Sequence, residues 1–273
     1  MSDGRMLLGI NLAMWLVSLL LGKTWPVDFI WSLWPLLQCA LISSRTPGIS
    51  ERQLCVGILV ALWGVRLTLN FVRRGGIGHE DWRYTAMRHQ FGAHFWWVSI
   101  FSVFLGQSVF MFAACLSLYG AMLSPAKLQA SDVLGASICC VGVLLELISD
   151  RQMDAFQASR SEHRTDALVI DHGLWLWSRH PNYAGEVAWW WGVFLLSTSS
   201  GAPRWVLAGP CGITILITFV SVKLLEDRQL QNKGEAYRSY RRRVPSSLLP
   251  IPPVLNPQVS RWLTRPATTQ RKW

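Results

Sequence analysis

The sequence is poor in charge. Charged residues make up 15% of its 273 positions, where a soluble domain of ordinary composition carries about 25%. Other absences narrow the chemistry. The six cysteines, Cys39, Cys55, Cys115, Cys139, Cys140 and Cys211, lie in apolar segments, form no C-x-x-C, and have no histidine at zinc-ligand spacing. They read as small apolar packing residues. His79, His89, His94, His163 and His172 build no H-x-x-H-H cluster, which argues against a di-iron desaturase or hydroxylase. G-x-S-x-G is missing, so there is no serine-hydrolase elbow. Gly75-Gly76-Ile77-Gly78 lacks the spacing and preceding strand of a dinucleotide loop and reads as a flexible exit from an apolar segment. There is no internal repeat, no soluble second domain and no convincing small-residue cleavage site after the first apolar stretch, which is expected to stay as a helix.

What the chain has instead is apolar length. Hydrophobic residues are 51%, mean hydropathy is +0.26, and there are 16 tryptophans, a residue that favours the membrane–water interface. A membrane span needs about 20 mostly apolar residues. Segments 6–22, 27–43, 53–72, 96–120, 131–149, 182–199 and 204–225 meet that need, the second with a possible kink at Pro35. The expectation is an all-α, polytopic membrane bundle of about seven transmembrane helices, one domain over 1–253, with a basic, disordered tail at 254–273. Seven spans separate the cations cleanly. Lys23, Arg73, Arg74, Arg83, Arg88, Arg151, Arg160, Arg164, Arg179 and ten more from Arg228 to Lys272 fall on one side; Arg5, Arg45, Arg52, Lys127 and Arg204 fall on the other. The positive-inside rule then puts the C-terminus in the cytosol. The net charge of +10 fits an anionic membrane face and an anionic cofactor better than nucleic acid. Pro245, Pro250, Pro252, Pro253 and Pro257 suggest an extended segment folded back on the bundle.

The densest polar constellation is Gly173-Leu-Trp-Leu-Trp-Ser-Arg-His-Pro-Asn-Tyr-Ala-Gly-Glu186. Pro181 can open a helix, where its missing N–H costs nothing. Asn182 and Glu186 are then one turn apart on one face, with Arg179 and His180 just before. A cation, an imidazole, an amide and a carboxylate converge at a helix N-terminus, which itself offers N–H groups to an anion. The plainer alternative is a helix start seated at the interface by a snorkelling arginine. Glu146, Asp150 and Asp154 share a helix face. Arg66, inside the third span, is either a structural ion-pair partner or a ligand contact; Lys223 is near enough to a helix end to snorkel.

Ser-Arg-His-Pro-Asn-Tyr-Ala-Gly-Glu, followed by Trp189-Trp190-Trp191-Gly192, resembles the signature of the steroid 5-alpha-reductase-like membrane proteins, nearest to the DUF1295 branch. The resemblance covers about residues 60–253. It includes Trp63-Gly64-Val-Arg66-Leu67, Glu80-Asp81-Trp82-Arg83-Tyr84, Asp150-Arg-Gln152 with Phe156, and Glu226 with Tyr237, Tyr240 and Pro250. It implies NADPH as cofactor, taken from the cytosolic side into a cytosol-facing cavity. The cofactor-binding residues it implies are Asp150, Arg160, Arg179, His180, Asn182, Tyr183, Glu186, Glu226, Tyr237 and Tyr240. Gln157 stands where many members of the branch have Lys or Arg, and Arg160 can replace that cation. Isoprenylcysteine carboxyl methyltransferases carry a similar Arg-His-Pro-x-Tyr-x-Gly and bind S-adenosylmethionine, but differ at the positions of Asn182 and Glu186. The expected activity is reduction of a carbon–carbon double bond in a lipophilic, sterol-like enone, with Tyr84 and Glu80 as candidate acids. The alternatives are a methyltransferase of a membrane-bound substrate and a lipid-binding protein without turnover. Membrane lipids are expected partners. The expected membrane is the endoplasmic reticulum in a eukaryote or the inner membrane in a bacterium.

Overall fold

The computed structural model describes residues 2–124 and 127–251. The expected tail at 254–273 lies outside them, as do the last three prolines of the Pro-rich stretch. Among the described residues the chain is helical, without strands. It runs α1 (Ser2–Leu21), α2 (Trp25–Ser44), α3 (Glu51–Arg73), α4 (Trp82–Phe91), α5 (Phe95–Ser99), α6 (Gly106–Leu123), α7 (Ala130–Ser161), α8 (Pro181–Ser199), α9 (Ala208–Ile215) and α10 (Val222–Arg243). Short 3-10 or π turns join α4 to α6 and α9 to α10 into longer helical runs.

Helix starts follow local chemistry. Ser50 and Gln53 form a reciprocal capping box on α3, satisfying two orphan N–H groups at once. Asp81 caps α4 by accepting from Arg83 N, and a proline opens both α2 and α8. α2 passes through Pro35 as one continuous helix.

Among the described residues six helical stretches are long and apolar enough to cross a membrane: Gly4–Leu21, Trp25–Ser44, Glu51–Arg73, Trp82–Leu123, Ala130–Ser161 and Arg204–Arg243. The seventh expected span, 182–199, is the 19-residue α8, which does not share that composition. Its polar first turn is one reason, and its surroundings are the other. Of its residues only Thr198 is exposed, so α8 is enclosed by protein, where polar groups are tolerated. The last stretch is also longer than the sequence suggests. The helical run continues to Arg243, past the expected end at 225, with a break in helical geometry at Gly234. The charged part from Glu226 to Arg243 therefore projects beyond the span.

The chain forms two compact units. The first holds Met1–Cys139 and Trp190–Ile213; the second holds Cys140–Trp189 and the described residues from Thr214 onward. In the first unit Trp63 packs edge-on against Trp190, ring centroids 5.7 Å apart, both fully buried. A buried ion pair joins Arg52 to Asp132 at 2.5 Å. Arg52 also donates to Leu196 O and Lys127 O, and Asp132 accepts from Gln129 N at the start of α7. This pairing meets most of what a buried charge requires.

Glycines set the approach of α7 and α8. A Cβ on Gly192 would lie 2.7 Å from Gly135 O in the first unit, and a Cβ on Gly185 would lie 2.6 Å from Gly142 O in the second. Gly135 with Gly192, and Gly142 with Gly185, are matched one heptad apart. The helices run antiparallel, backbone against backbone, as small residues permit in membranes.

Candidate functional site

The Arg-His-Pro-Asn motif sits in the second unit, and its geometry depends on a distant segment. Arg179 Nε donates to Glu226 Oε1 at 2.7 Å, and its Nη1 donates to Val244 O at 2.7 Å and Pro245 O at 2.6 Å. His180 Nε2 lies 3.2 Å from the same Glu226 oxygen, and Arg241 Nε lies 3.4 Å from the other. Glu226 is thus the hub of three cationic or imidazole groups. Burial by itself would raise its pKa, but the hydrogen bonds from His180 and Arg179 prevail and hold it at about 2. The His180 ring stacks on Tyr183, centroids 5.6 Å apart at 15°.

The segment after α10 folds back along the motif, as the prolines suggested. Arg179 N donates to Ser246 O, Ile251 N to Trp177 O, and Ser178 Oγ to Ser247 O and Leu248 O. Tyr240 OH donates to Trp175 O at 2.7 Å, and Trp175 Nε1 donates to Ser149 O at 3.1 Å. Tyr237 and Tyr240 are buried together with Val244. Arg179, Glu226 and Tyr240 therefore clamp the motif to α10 and to the C-terminal segment, and Trp175 ties it to α7, a structural load not visible in their spacing. Gly173 has φ of +60° and presses on Gln152, whose Oε1 accepts from Leu174 N at 2.9 Å. A side chain there would meet both the left-handed backbone and the amide.

Other expected site residues are placed differently. Asp150 and Glu146 are buried on α7. Asn182 and Glu186 are half-buried in the first turns of α8. Among the described residues the Asn182 amide has no hydrogen-bond partner, and so it is available to a ligand. Arg160, at the exposed end of α7, acts on Lys233 of α10 at Coulombic range. Lys233 is half-buried, and burial first and Arg160 second lower its affinity for a proton. Neither cation is ion-paired among the described residues. Lys233 carries no motif signal. The only clue in the sequence is that it lies beside Gly234, where α10 leaves helical geometry at φ 51°. Lys223, by contrast, pairs with Asp227 at 3.1 Å at an exposed position.

The two candidate acids lie in the first unit. Tyr84 is buried among Val27, Phe95, Val103 and Phe104. Its hydroxyl donates to Asp28 Oδ1 at 2.7 Å and accepts from Gln107 Nε2 at 3.2 Å. Asp28, on α2, was not singled out by its sequence context. Glu80 accepts from Thr24 N and Thr24 Oγ1, both at 2.8 Å, and from Arg88 Nε at 3.1 Å. It places a carboxylate at the N-terminus of α2, where the helix dipole favours one.

A polytopic helical membrane protein with a polar hub at one helix N-terminus is the class these features define. The chain belongs to the family described as DUF1295, protein of unknown function, which matches residues 14–244. An uncharacterized protein of the fission yeast Schizosaccharomyces pombe is 26% identical over 264 residues, covering 85% of this chain and 74% of that protein. No solved structure matches the chain.

Proposed function

We propose that the protein is a membrane-embedded, NADPH-dependent reductase of a carbon–carbon double bond in a lipophilic enone. The observation that carries this reading is the Arg160–Lys233 pair. The Arg160 charge acts on Lys233 at Coulombic range, neither is ion-paired among the described residues, and a dianionic phosphate would relieve their repulsion. S-adenosylmethionine has no phosphate, so the pair favours a phosphorylated dinucleotide over the methyltransferase alternative. The unengaged Asn182 amide, one turn from Glu186, offers both donor and acceptor to a carboxamide or ribose. Arg179 and Glu226 hold the motif in place rather than reading the phosphate, since each is committed to internal partners.

A bound nicotinamide supplies hydride to the electron-poor carbon of the enone. The protein contributes the rest. An O–H near the carbonyl polarises it and provides a proton for the developing enolate. Both candidates for that acid have internal partners: Tyr84 donates to Asp28, and Glu80 accepts from Thr24 and Arg88. The polar ends of α7 and α10 face the cytosol in this reading, in keeping with the cation count.

The test is a titration of the detergent-purified chain with NADPH, NADH and S-adenosylmethionine, following the thermal midpoint. NADPH should stabilise most. Arg160→Ala and Lys233→Ala should each weaken NADPH by roughly 1.5–3 kcal/mol, the range for a charge-assisted hydrogen bond, and NADH by less. Stabilisation by S-adenosylmethionine alone sinks the proposal.

A further inference from the structure

We propose that Gly234 is a positioning residue: the bend it makes in α10 holds Lys233 within reach of the Arg160 charge, and the preference for a phosphorylated dinucleotide depends on that bend. The inference rests on reading Arg160 and Lys233 as a phosphate pair. α10 is two helices, 222–233 and 235–243, joined at Gly234 with φ 51° and ψ −122°. That pair of angles lies outside the regions open to an L residue, and glycine adopts it freely. Nothing lies within 4 Å of a Cβ built there, so the residue is needed for its backbone and not for space.

The bend is visible in what it brings together. Arg241 Nε lies 3.4 Å from Glu226 Oε2. In a straight helix a rise of roughly 22 Å would separate these residues, beyond the reach of two side chains. The second helix therefore folds back toward the first, with Lys233 at the elbow. Both arms are held. Glu226, in the first, is bound by Arg179 and His180. In the second, Tyr240 OH donates to Trp175 O, and Arg243 pairs with Asp171 at 2.9 Å. With both arms seated, the angles at Gly234 fix where Lys233 stands.

Packing brings in the other cation. Phe156 of α7 clusters with Ile170 and Trp175. Leu230, Val169 and Leu176 pack against Tyr237 and Tyr240 of α10. Neighbouring residues of one segment thus pack on both helices. Arg160 is about one turn past Phe156, and Lys233 less than one turn past Leu230. A Gly234 forced into helical angles would unseat one arm and move Lys233 relative to Arg160.

The experiment uses the full chain in detergent, titrated with NADPH and NADH and followed by the thermal midpoint. Gly234→Ala should raise the NADPH concentration for half-saturation about tenfold, the factor for one charge-assisted hydrogen bond, and leave that for NADH little changed. Gly92→Ala is the control. Gly92 holds almost the same angles, φ 50° and ψ −125°, at the end of α4, with the same open space for a Cβ. Its variant should lower the midpoint and keep the preference for NADPH. Gly234→Asn, with a side chain better tolerated at positive φ, serves if Gly234→Ala does not fold. A second readout needs no cofactor: the pH midpoint of Lys233 acetylation, by peptide mass spectrometry. It should rise in the Gly234 variant, as in Arg160→Ala, because Lys233 loses the cation beside it. If NADPH fails to stabilise even the wild type, the cofactor reading falls, and the Lys233 profile alone decides on Gly234. A Gly234 variant with an unchanged Lys233 profile, or with an intact preference for NADPH, overturns the inference. So does an equal loss of that preference in Gly92→Ala.

Discussion

Alanine at Gly185 tests the fold where it meets the signature motif. The added Cβ would lie 2.6 Å from Gly142 O and 2.6 Å from Glu146 Cγ, where ordinary contact begins at 3.4 Å. The helices must part by 3.4 − 2.6 = 0.8 Å, or the neighbours must shift by as much. A radial gap of that size forfeits roughly a quarter to a half of each dispersion contact along the seam, and overpacking of this kind costs about 1–3 kcal/mol. Alanine recovers up to about 1 kcal/mol through helix propensity. The net expectation is a loss of about 1–2 kcal/mol, or roughly 2–8 °C in the thermal midpoint. Gly142→Ala should behave alike, because its Cβ would lie 2.7 Å from Gly185 O. Gly57, in α3, is the control: nothing lies within 4 Å of a Cβ there, so Gly57→Ala should hold or raise the midpoint. The assay is thermal unfolding in one detergent by near-UV circular dichroism. If all three variants shift alike, α7 and α8 do not meet backbone to backbone, and the account of α8 as an enclosed helix fails with it.

Two further outcomes follow from the buried charges. Glu226 is held at about 2, below its ordinary 4.5. Its contribution to stability is therefore full above about 4.5 and lost as the pH falls toward 2. The midpoint difference between wild type and Glu226→Gln should be large at neutral pH and shrink across that window; a difference independent of pH refutes the pairing with Arg179 and His180. Arg52→Ala should cost about 3–5 kcal/mol, since it strands a buried carboxylate, whereas Arg52→Met with Asp132→Leu should recover most of that. A double variant no better than Arg52→Ala means the pair is not buried as described.

Much of this was legible along the chain. Apolar length marked the six membrane-length stretches found among the described residues, because lipid imposes a composition that needs no partner to be read. Ser50, Asp81 and Pro181 marked helix starts, since capping is decided within a few residues. The motif at 178–186 announced a polar helix N-terminus for the same reason. Tertiary structure alone decided who meets whom. Glu226 lies 47 residues from Arg179, and nothing local to either predicts that they pair instead of facing a ligand. Lys233 feels the charge of Arg160 across 73 residues of sequence, which nothing local to either residue announces. The four glycines of α7 and α8 look like ordinary small residues until two helices are matched one heptad apart. α8 itself reads as one more lipid-facing span, and only packing shows that protein surrounds it. Periodicity reports which solvent each face prefers; pairing between distant segments depends on how those faces stack, and no stretch of sequence carries that information by itself.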